Sequence, residues 1–294
     1  MIVSKFGGTS VGSAENIKRV IEIVKEKDQQ NAVVVSALGG VTNLLIKASE
    51  LALDNDKGFH DVVDQIEQRH FETIEGLLNH DNQTICKAQV AKSLNQLKEI
   101  LSGVALLNDL SDKTSARIVS LGEKLSSFII YHSMLQEGMD ASLLDSAELI
   151  KTNREYLQAE VNFDQTFSNI NKENDKNNTM VNLFAGFISS NDKGETTTLV
   201  RGGSDFTAAI IANAMSASIL EIWTDLSGMF TANPKLVRQA YPIAEISYQE
   251  AMELSHFGAK VLYPPTIQPV LDKNIPILIK NTLSAQDKGT LITE

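Results

Sequence analysis

The sequence predicts an α/β protein built on a mainly parallel sheet, and three observations carry that prediction. Residues 2–6 form a short apolar run that ends directly in the glycine turn Gly7-Gly8. The next segment, from about Ala14 to Asp28, places Ile17, Val20, Ile21 and Val24 at i, i+3, i+4 and i+7, the spacing of one helix face. Ala32 to Ser36 is then a second continuous apolar run, closing in Leu38-Gly39-Gly40. Strand, glycine turn, helix, strand, glycine turn is the grammar of parallel strands joined by crossovers.

The later elements follow in order. Residues 43–137 read as almost wholly helical, in four stretches. Leu44, Leu45, Ala48 and Leu51 line the first; Val63, Ile66, His70, Ile74 and Leu77 the second; Val90, Leu94, Leu97, Leu101 and Val104 the third. Ile118, Leu121, Leu125, Phe128 and Leu135 line a fourth, inside which Glu123 falls opposite the apolar stripe and reads as a solvent-facing glutamate. Strands are expected at 141–144 and 180–184. Residues 168–179 are rich in Asn and Lys and predict a weak helix running into a surface loop. Asn191-Asp192-Lys193-Gly194 signals a hairpin turn. Residues 205–217 form a helix of small side chains, 219–223 a buried strand, and Ser247-Tyr248-Gln249-Glu250 a capping box. Short strands at 277–279 and 290–292 close the pattern.

Composition narrows the function classes. The 294 residues are 43% hydrophobic and 21% charged, ordinary for a globular chain, with a formal charge of −11. An acidic chain repels a polyanion, so nucleic acid is not an expected partner. The single cysteine, Cys86, precludes an intrachain disulfide and reads as a small buried hydrophobe suited to the reducing cytoplasm. The apolar N-terminal run meets Lys5 too soon for a signal segment, and no stretch reaches the roughly 18 apolar residues of a membrane span.

Three loops can carry chemistry. In Lys5-Phe6-Gly7-Gly8-Thr9-Ser10, two glycines after a strand let the backbone approach a ligand, and their N–H groups with the two hydroxyls can cradle phosphate oxygens. Lys5 supplies a fixed positive charge there. Ser36-Ala37-Leu38-Gly39-Gly40-Val41-Thr42 ends the neighbouring strand; ligands of open α/β sheets bind beyond the carboxyl ends of strands, so both turns are expected to face one cleft. In Arg201-Gly202-Gly203-Ser204-Asp205, an arginine fork leaves a strand and a glycine pair opens a helix, whose N-terminus attracts anions. Each loop by itself is equally a tight turn or a helix start, Asp being favoured at that position in any case. Neither a P-loop nor a G-x-G-x-x-G occurs. His60, His70 and His80 recur every ten residues, which scatters them around a helix, so they read as solvated positions and no metal site is expected.

These residues, taken together, resemble the aspartokinases of the amino acid kinase family. The likeness runs through Lys5-Phe6-Gly7-Gly8-Thr9-Ser10-Val11, Val35-Ser36-Ala37, Gly122-Glu123, Gly186-Phe187-Ile188, Thr196-Thr197-Thr198-Leu199, Arg201 to Asp205, Trp223-Thr224-Asp225 and Phe257 to Leu262, in family order. Residues 247–282 look most like the kinase half of bifunctional aspartokinase–homoserine dehydrogenases. The resemblance implies a three-layer αβα sandwich of the carbamate kinase-like kind. An amino-acid lobe would occupy residues 1–200 and a nucleotide lobe residues 201–294. It implies transfer of the ATP γ-phosphoryl group to the side chain of L-aspartate, with Mg²⁺, as the first step of lysine, threonine and methionine biosynthesis. Lys5 would stabilise the phosphoryl group in flight and Asp205 would orient Lys5 or the amino group. Glu123 would hold the substrate ammonium and Arg201 its α-carboxylate, with Thr42 and Ser204 lining the pocket. Gly7, Gly8, Thr9, Ser10, Ser36, Thr224, Asp225, Phe230, Lys235 and Lys260 would surround ATP. A homodimer is compatible with the resemblance.

The chain departs from the family where Phe230, Asn233 and Lys235 replace a phenol, a carboxylate and a guanidinium. Losing a hydroxyl and a bidentate fork predicts weaker ATP binding than in a typical relative; Tyr263 stands in place of a family histidine. Ending at Glu294, the chain is expected to lack the regulatory and dehydrogenase domains of its relatives, and with them feedback inhibition by lysine or threonine. The alternatives are a kinase for glutamate, N-acetylglutamate, carbamate or UMP, or a binding module without turnover. Glu123 with Arg201 favours a free α-amino acid over the first group, and Lys5 with Asp205 favours turnover over the second.

Overall fold

A computed structural model describes residues 1–200, 202–234, 236–256, 262 and 268–294. The strands are β1 (Ile2–Phe6), β2 (Asn31–Val35), β3 (Ala141–Leu144), β4 (Val181–Ala185), β5 (Ile188–Ser190), β6 (Thr196–Thr198), β7 (Ile219–Thr224), β8 (Glu245–Ser247), β9 (Ile277–Asn281) and β10 (Thr290–Thr293). Among the described residues they form an eight-stranded sheet in the order β3-β4-β2-β1-β7-β9-β10-β8 and a separate β5-β6 hairpin. Only the β9–β10 pair is antiparallel in the large sheet. The expected mainly parallel architecture is therefore what the chain adopts.

Both faces of the sheet are covered in its middle, which is why β2 and β4 are buried along their whole length rather than in alternation. Phe6, Val33, Val35, Leu183 and Trp223 point into one core, shared with α1 (Ala14–Lys25), α2 (Val41–Leu53), α3 (Phe59–Leu77), α4 (His80–Leu107) and α6 (Leu121–Gln136). Val3, Ala32, Val34, Phe184, Leu220 and Ile222 point into the other, beneath α9 (Gly203–Ala214). The side chains of α9 are small where it crosses the sheet: Ala208, Ala209 and Ala212 are wholly buried. Period-2 alternation along β1 puts Lys5 on the same face as Val3, so its side chain is delivered toward the start of α9.

The helical region departs from the four expected stretches. The fourth divides at Ser120 into α5 (Asp112–Val119) and α6. The Ser120 hydroxyl donates back to the Arg117 carbonyl at 2.9 Å, and such back-bonding competes with the helical ladder. The helix expected to run into a loop over 168–179 is α8 (Phe163–Lys176), which starts earlier, at a cap formed by the Asn162 side chain, and ends at Lys176 before the short loop that leads to β4. The hairpin turn holds, with Gly194 at φ +74°, and so does the capping box: Ser247 N–H donates to Glu250 Oε2 and Glu250 N–H to Ser247 Oγ as α10 (Tyr248–His256) opens. Three short elements had no expectation attached: α7 (Ser146–Leu149), β8 and α11 (Gln268–Leu271).

His70 corrects the solvated reading: it is wholly buried, with Nδ1 2.7 Å from the Ile66 carbonyl. Cys86 is buried as expected, and burial pushes its thiol up to about 12, out of reach of redox chemistry at neutral pH. Among the described residues no helix is long and apolar enough to cross a membrane.

Candidate active site

The sheet reverses direction of growth beside β1, and the two glycine turns lie at the carboxyl ends of the strands there, where open α/β sheets bind ligands. The turns touch. A Cβ on Gly39 would stand 3.0 Å from the Gly8 carbonyl oxygen, and one on Gly8 would stand 3.3 Å from the Ala37 carbonyl oxygen. Only glycine permits two backbones to approach so closely. The expectation that both turns face one cleft is met.

That cleft is a cavity of about 350 Å³ bordered by Lys5, Gly8, Ser36, Thr42, Glu123, Ser204 and Asp205, together with Leu38, Asn43, Phe187 and the backbone of Gly39, Gly40, Gly202 and Gly203. Two helices begin at its rim. Gly40 (φ +86°) opens α2 and Gly202 (φ +76°) opens α9, and neither start carries a side-chain cap. Their first N–H groups and the positive ends of their dipoles are left for an anion.

Lys5 Nζ lies 2.7 Å from Asp205 Oδ1, both side chains mostly buried, and Oδ1 has no hydrogen-bond partner besides that ion pair among the described residues. Glu123 corrects the solvent-facing reading. Because the helix restarts at Leu121, Glu123 belongs to the first turn of α6 and is only 4% exposed. Gly122 makes this possible: a Cβ there would fall 2.8 Å from the Ala37 Cβ. Oε2 of the Glu123 carboxylate is buried without a partner. Burial pushes the carboxyl up to about 7, against the opposing pull of the Ala37 and Glu123 N–H groups and of the Lys5 charge. An orphaned, buried carboxylate oxygen fits a cationic ligand group.

A second cavity of about 390 Å³ shares Gly39 with the first and is bordered by Thr9, Ser10, Gly12, Ser13, Asn16, Arg69, Thr224, Asp225, Thr282 and Leu283. The predicted nucleotide residues are therefore divided between two hollows separated by the glycine turns: Gly8 and Ser36 face the first, Thr9, Ser10, Thr224 and Asp225 the second. Gly7 packs beneath Lys5, and its N–H donates to the Trp223 carbonyl at 3.2 Å. Ser10 departs from its expected part. It is 1% exposed, and its hydroxyl meets the Trp223 carbonyl at 3.2 Å and Thr282 Oγ1 at 2.7 Å. It braces the turn against β7 and β9 and has no hydroxyl proton left for a phosphate. Phe230 is half-buried, bridges to Pro242 and borders neither cavity. Arg201, Lys235 and Lys260 lie outside the described residues.

Sequence reasoning passed over Phe187 and Arg69. Phe187 was visible only as part of a motif; its left-handed backbone (φ +69°) has no signature in the residue type. No group of three or more His, Cys, Asp or Glu side chains that could hold a metal occurs among the described residues.

Comparison with known proteins agrees with the geometry. The amino acid kinase family matches residues 1–281. The bifunctional aspartokinase/homoserine dehydrogenase of Buchnera aphidicola is 38% identical over 300 residues, covering 100% of this chain and 36% of the relative. The aspartokinase of Chlamydia pneumoniae is 35% identical, covering 99% of this chain and 62% of the relative. The chain thus spans about a third of the bifunctional relatives and under two thirds of the monofunctional one. Among solved structures, Escherichia coli aspartokinase III in complex with aspartate and ADP superposes with a TM-score of 0.91 at 32% identity, covering 100% of this chain and 64% of that one. UMP kinase from Ureaplasma parvum, at 14% identity and a TM-score of 0.53, shares the fold alone.

Proposed function

The chain belongs to the amino acid kinase family, and from that premise we propose that it is an aspartate kinase module, transferring the γ-phosphoryl group of MgATP to the side-chain carboxylate of L-aspartate. One observation carries the reading: a buried carboxylate, a lysine ammonium and two uncapped helix starts converge on one cavity. That arrangement suits a ligand with one positive and two negative groups. The Escherichia coli neighbour that superposes so closely holds aspartate and ADP.

In this reading Glu123 Oε2 takes the α-ammonium. The start of α9, with Ser204, takes the α-carboxylate, aided by Arg201. The side-chain carboxylate is left facing Lys5. It is ionised at neutral pH, so no general base is needed. A carboxylate oxygen attacks the γ-phosphorus as the bond to the ADP oxygen breaks, giving ADP and an acyl phosphate. Charge then builds on the transferring oxygens, which Lys5 and the N–H groups of the glycine turns neutralise. Asp205 holds Lys5 in place. Mg²⁺ would enter with the nucleotide and neutralise phosphate charge, held mostly by phosphate oxygens and water, because among the described residues no group of three or more metal-ligating side chains occurs and Asp205 is engaged by Lys5.

Residues 1–200 are assigned most of the acid side and residues 201–294 the nucleotide side, with Ser204 and the start of α9 reaching back into the acid pocket and Arg201 assigned there with them. Thr224 and Asp225, which border the second cavity, are placed on the nucleotide side; Phe230, Lys235 and Lys260 are assigned there from the family resemblance, and on that assignment the replacement of a phenol and a guanidinium by Phe230 and Lys235 is expected to lower ATP affinity. A free, buried cysteine and an ATP-dependent reaction are what support a cytoplasmic location.

The test is ATP-dependent hydroxamate formation with L-aspartate, run beside L-glutamate, N-acetylglutamate, carbamate and UMP. Product with aspartate alone supports the assignment. Product with another acceptor reassigns the substrate, and nucleotide binding without product identifies a binding module.

A further inference from the structure

We propose that Phe187 is a specificity-determining wall of the acid pocket, its ring setting the length of amino acid that fits; this rests on the reading above. Among the described residues Phe187 is the only aromatic residue bordering the first cavity, and Leu38, the other large apolar residue there, is 1% exposed and turned into the core. The remaining walls are Ala37, glycine backbone and polar side chains.

The backbone of Phe187 is left-handed at φ +69°, a conformation that a bulky L-residue adopts only when its surroundings impose it. Here they do. The Phe187 N–H donates to Thr207 Oγ1 at 3.0 Å, and the Phe187 carbonyl accepts the Leu199 N–H at 3.0 Å. On one side, the Gly186 N–H donates to the Val35 carbonyl at 2.9 Å, and a Cβ on Gly186 would stand 2.6 Å from Ser204 Cβ and Oγ. On the other, a Cβ on Gly203 would stand 2.5 Å from Phe187 Cδ2. Gly203 lies where any side chain would displace the ring, Gly186 where any side chain would displace Ser204, and the ring rests against the start of α9, where the α-carboxylate docks.

With the ammonium pinned at Glu123 and the reacting carboxylate at Lys5, an acid longer by one methylene must buckle between them. Gly39, Gly40, Gly202 and Gly203 present backbone that cannot rotate aside, so the bulge meets the ring. One surplus methylene in a confined site is disfavoured by roughly 10- to 200-fold.

The experiment compares wild type with Phe187→Gly and Phe187→Asn, two residues that accept a left-handed backbone, so that the ring is removed without new strain. Their fold is checked by the fluorescence of Trp223, the only tryptophan. Kinetic constants are measured for L-aspartate, L-glutamate and ATP, and binding of the two acids is read by thermal shift. The inference predicts that the aspartate-to-glutamate preference falls about tenfold or more in both variants, through KM for the acid, while KM for ATP stays within about twofold. A preference within threefold of wild type in a folded variant overturns it. Wild type that phosphorylates neither acid contradicts the kinase reading, and the binding ratio then decides this inference by itself; if wild type binds neither acid, both fall.

Discussion

Lys5 Nζ and Asp205 Oδ1 meet at 2.7 Å, joining the end of β1 to the first turn of α9 across the floor of the cavity. The partners are not equivalent. Asp205 sits in the positive field of a helix start and keeps that support if Lys5 is removed. Lys5 makes no other ion pair among the described residues. Asp205→Asn is therefore expected to lower the melting temperature more than Lys5→Ala, and to reduce kcat by about tenfold or more through loss of lysine orientation. Equal melting temperatures for the two variants count against this asymmetry.

Glu123→Gln keeps the shape of the residue and removes its charge. A hydrogen bond to a charged group contributes about 1.5–3 kcal/mol, so KM for L-aspartate is expected to rise roughly 10- to 100-fold with little change in KM for ATP. Steady-state kinetics with each substrate varied in turn separates the two.

Glu123 and His70 give stability opposite dependences on pH. The Glu123 carboxyl is raised from 4.5 to about 7 by burial, so the folded protein holds a proton there that the unfolded chain loses; its contribution is full at low pH and is lost as pH rises through about 7. The His70 imidazole is lowered from 6.5 to about 4, mainly by burial, so its contribution is full above 6.5 and is lost as pH falls through about 4. Each swing is about 3 kcal/mol, and between pH 4.5 and 6.5 they nearly cancel. Denaturant melts of Glu123→Gln should show stability rising over that interval, and melts of His70→Leu should show it falling. Two flat profiles would refute the pairing.

Gly39→Ala tests the contact between the glycine turns. The new Cβ would stand 3.0 Å from the Gly8 carbonyl oxygen and 3.5 Å from the Gly12 Cα, neither of which can rotate away. The turns must separate by a few tenths of an ångström, and since a misplacement of a full ångström costs about 100-fold, a loss of roughly 3- to 10-fold in rate is expected. Far-UV circular dichroism unchanged beside a hydroxamate activity reduced by that order is the expected pair of results.

Ser10→Ala removes the brace between the turn and the Trp223 carbonyl and leaves Thr282 Oγ1 short of a partner. It is expected to cost about 1–2 kcal/mol of stability and to raise KM for ATP more than KM for aspartate, because Thr224 adjoins that carbonyl. The reverse order of effects would show that Ser10 serves the acid pocket.

Much of this site was legible because glycine and lysine placement is a backbone matter. Gly7, Gly8, Gly39, Gly40, Gly202 and Gly203 could be read as turns at strand ends, and the parallel sheet then put them at one edge. Glu123 was not legible from periodicity, since its burial depends on a helix restarting at Leu121 and on a glycine that lets α6 approach Ala37. Only the family resemblance promoted it. Ser10 was legible as a turn residue but not as a brace, because Trp223 and Thr282 are more than 200 residues away in the chain. His70 lies on the same helical face as Val63, Ile66, Ile74 and Leu77, and that periodicity, rather than the ten-residue spacing from His60 and His80, reports its burial. Phe187 illustrates the remaining gap: no sequence pattern reports a left-handed phenylalanine.

The most direct measurement is kcat for hydroxamate formation from L-aspartate and saturating ATP by wild type and Lys5→Ala. A lone ammonium neutralising charge on the transferring phosphoryl group predicts a loss of about 100-fold or more with KM for aspartate little changed. A Lys5→Ala enzyme within threefold of wild type would place the chemistry elsewhere.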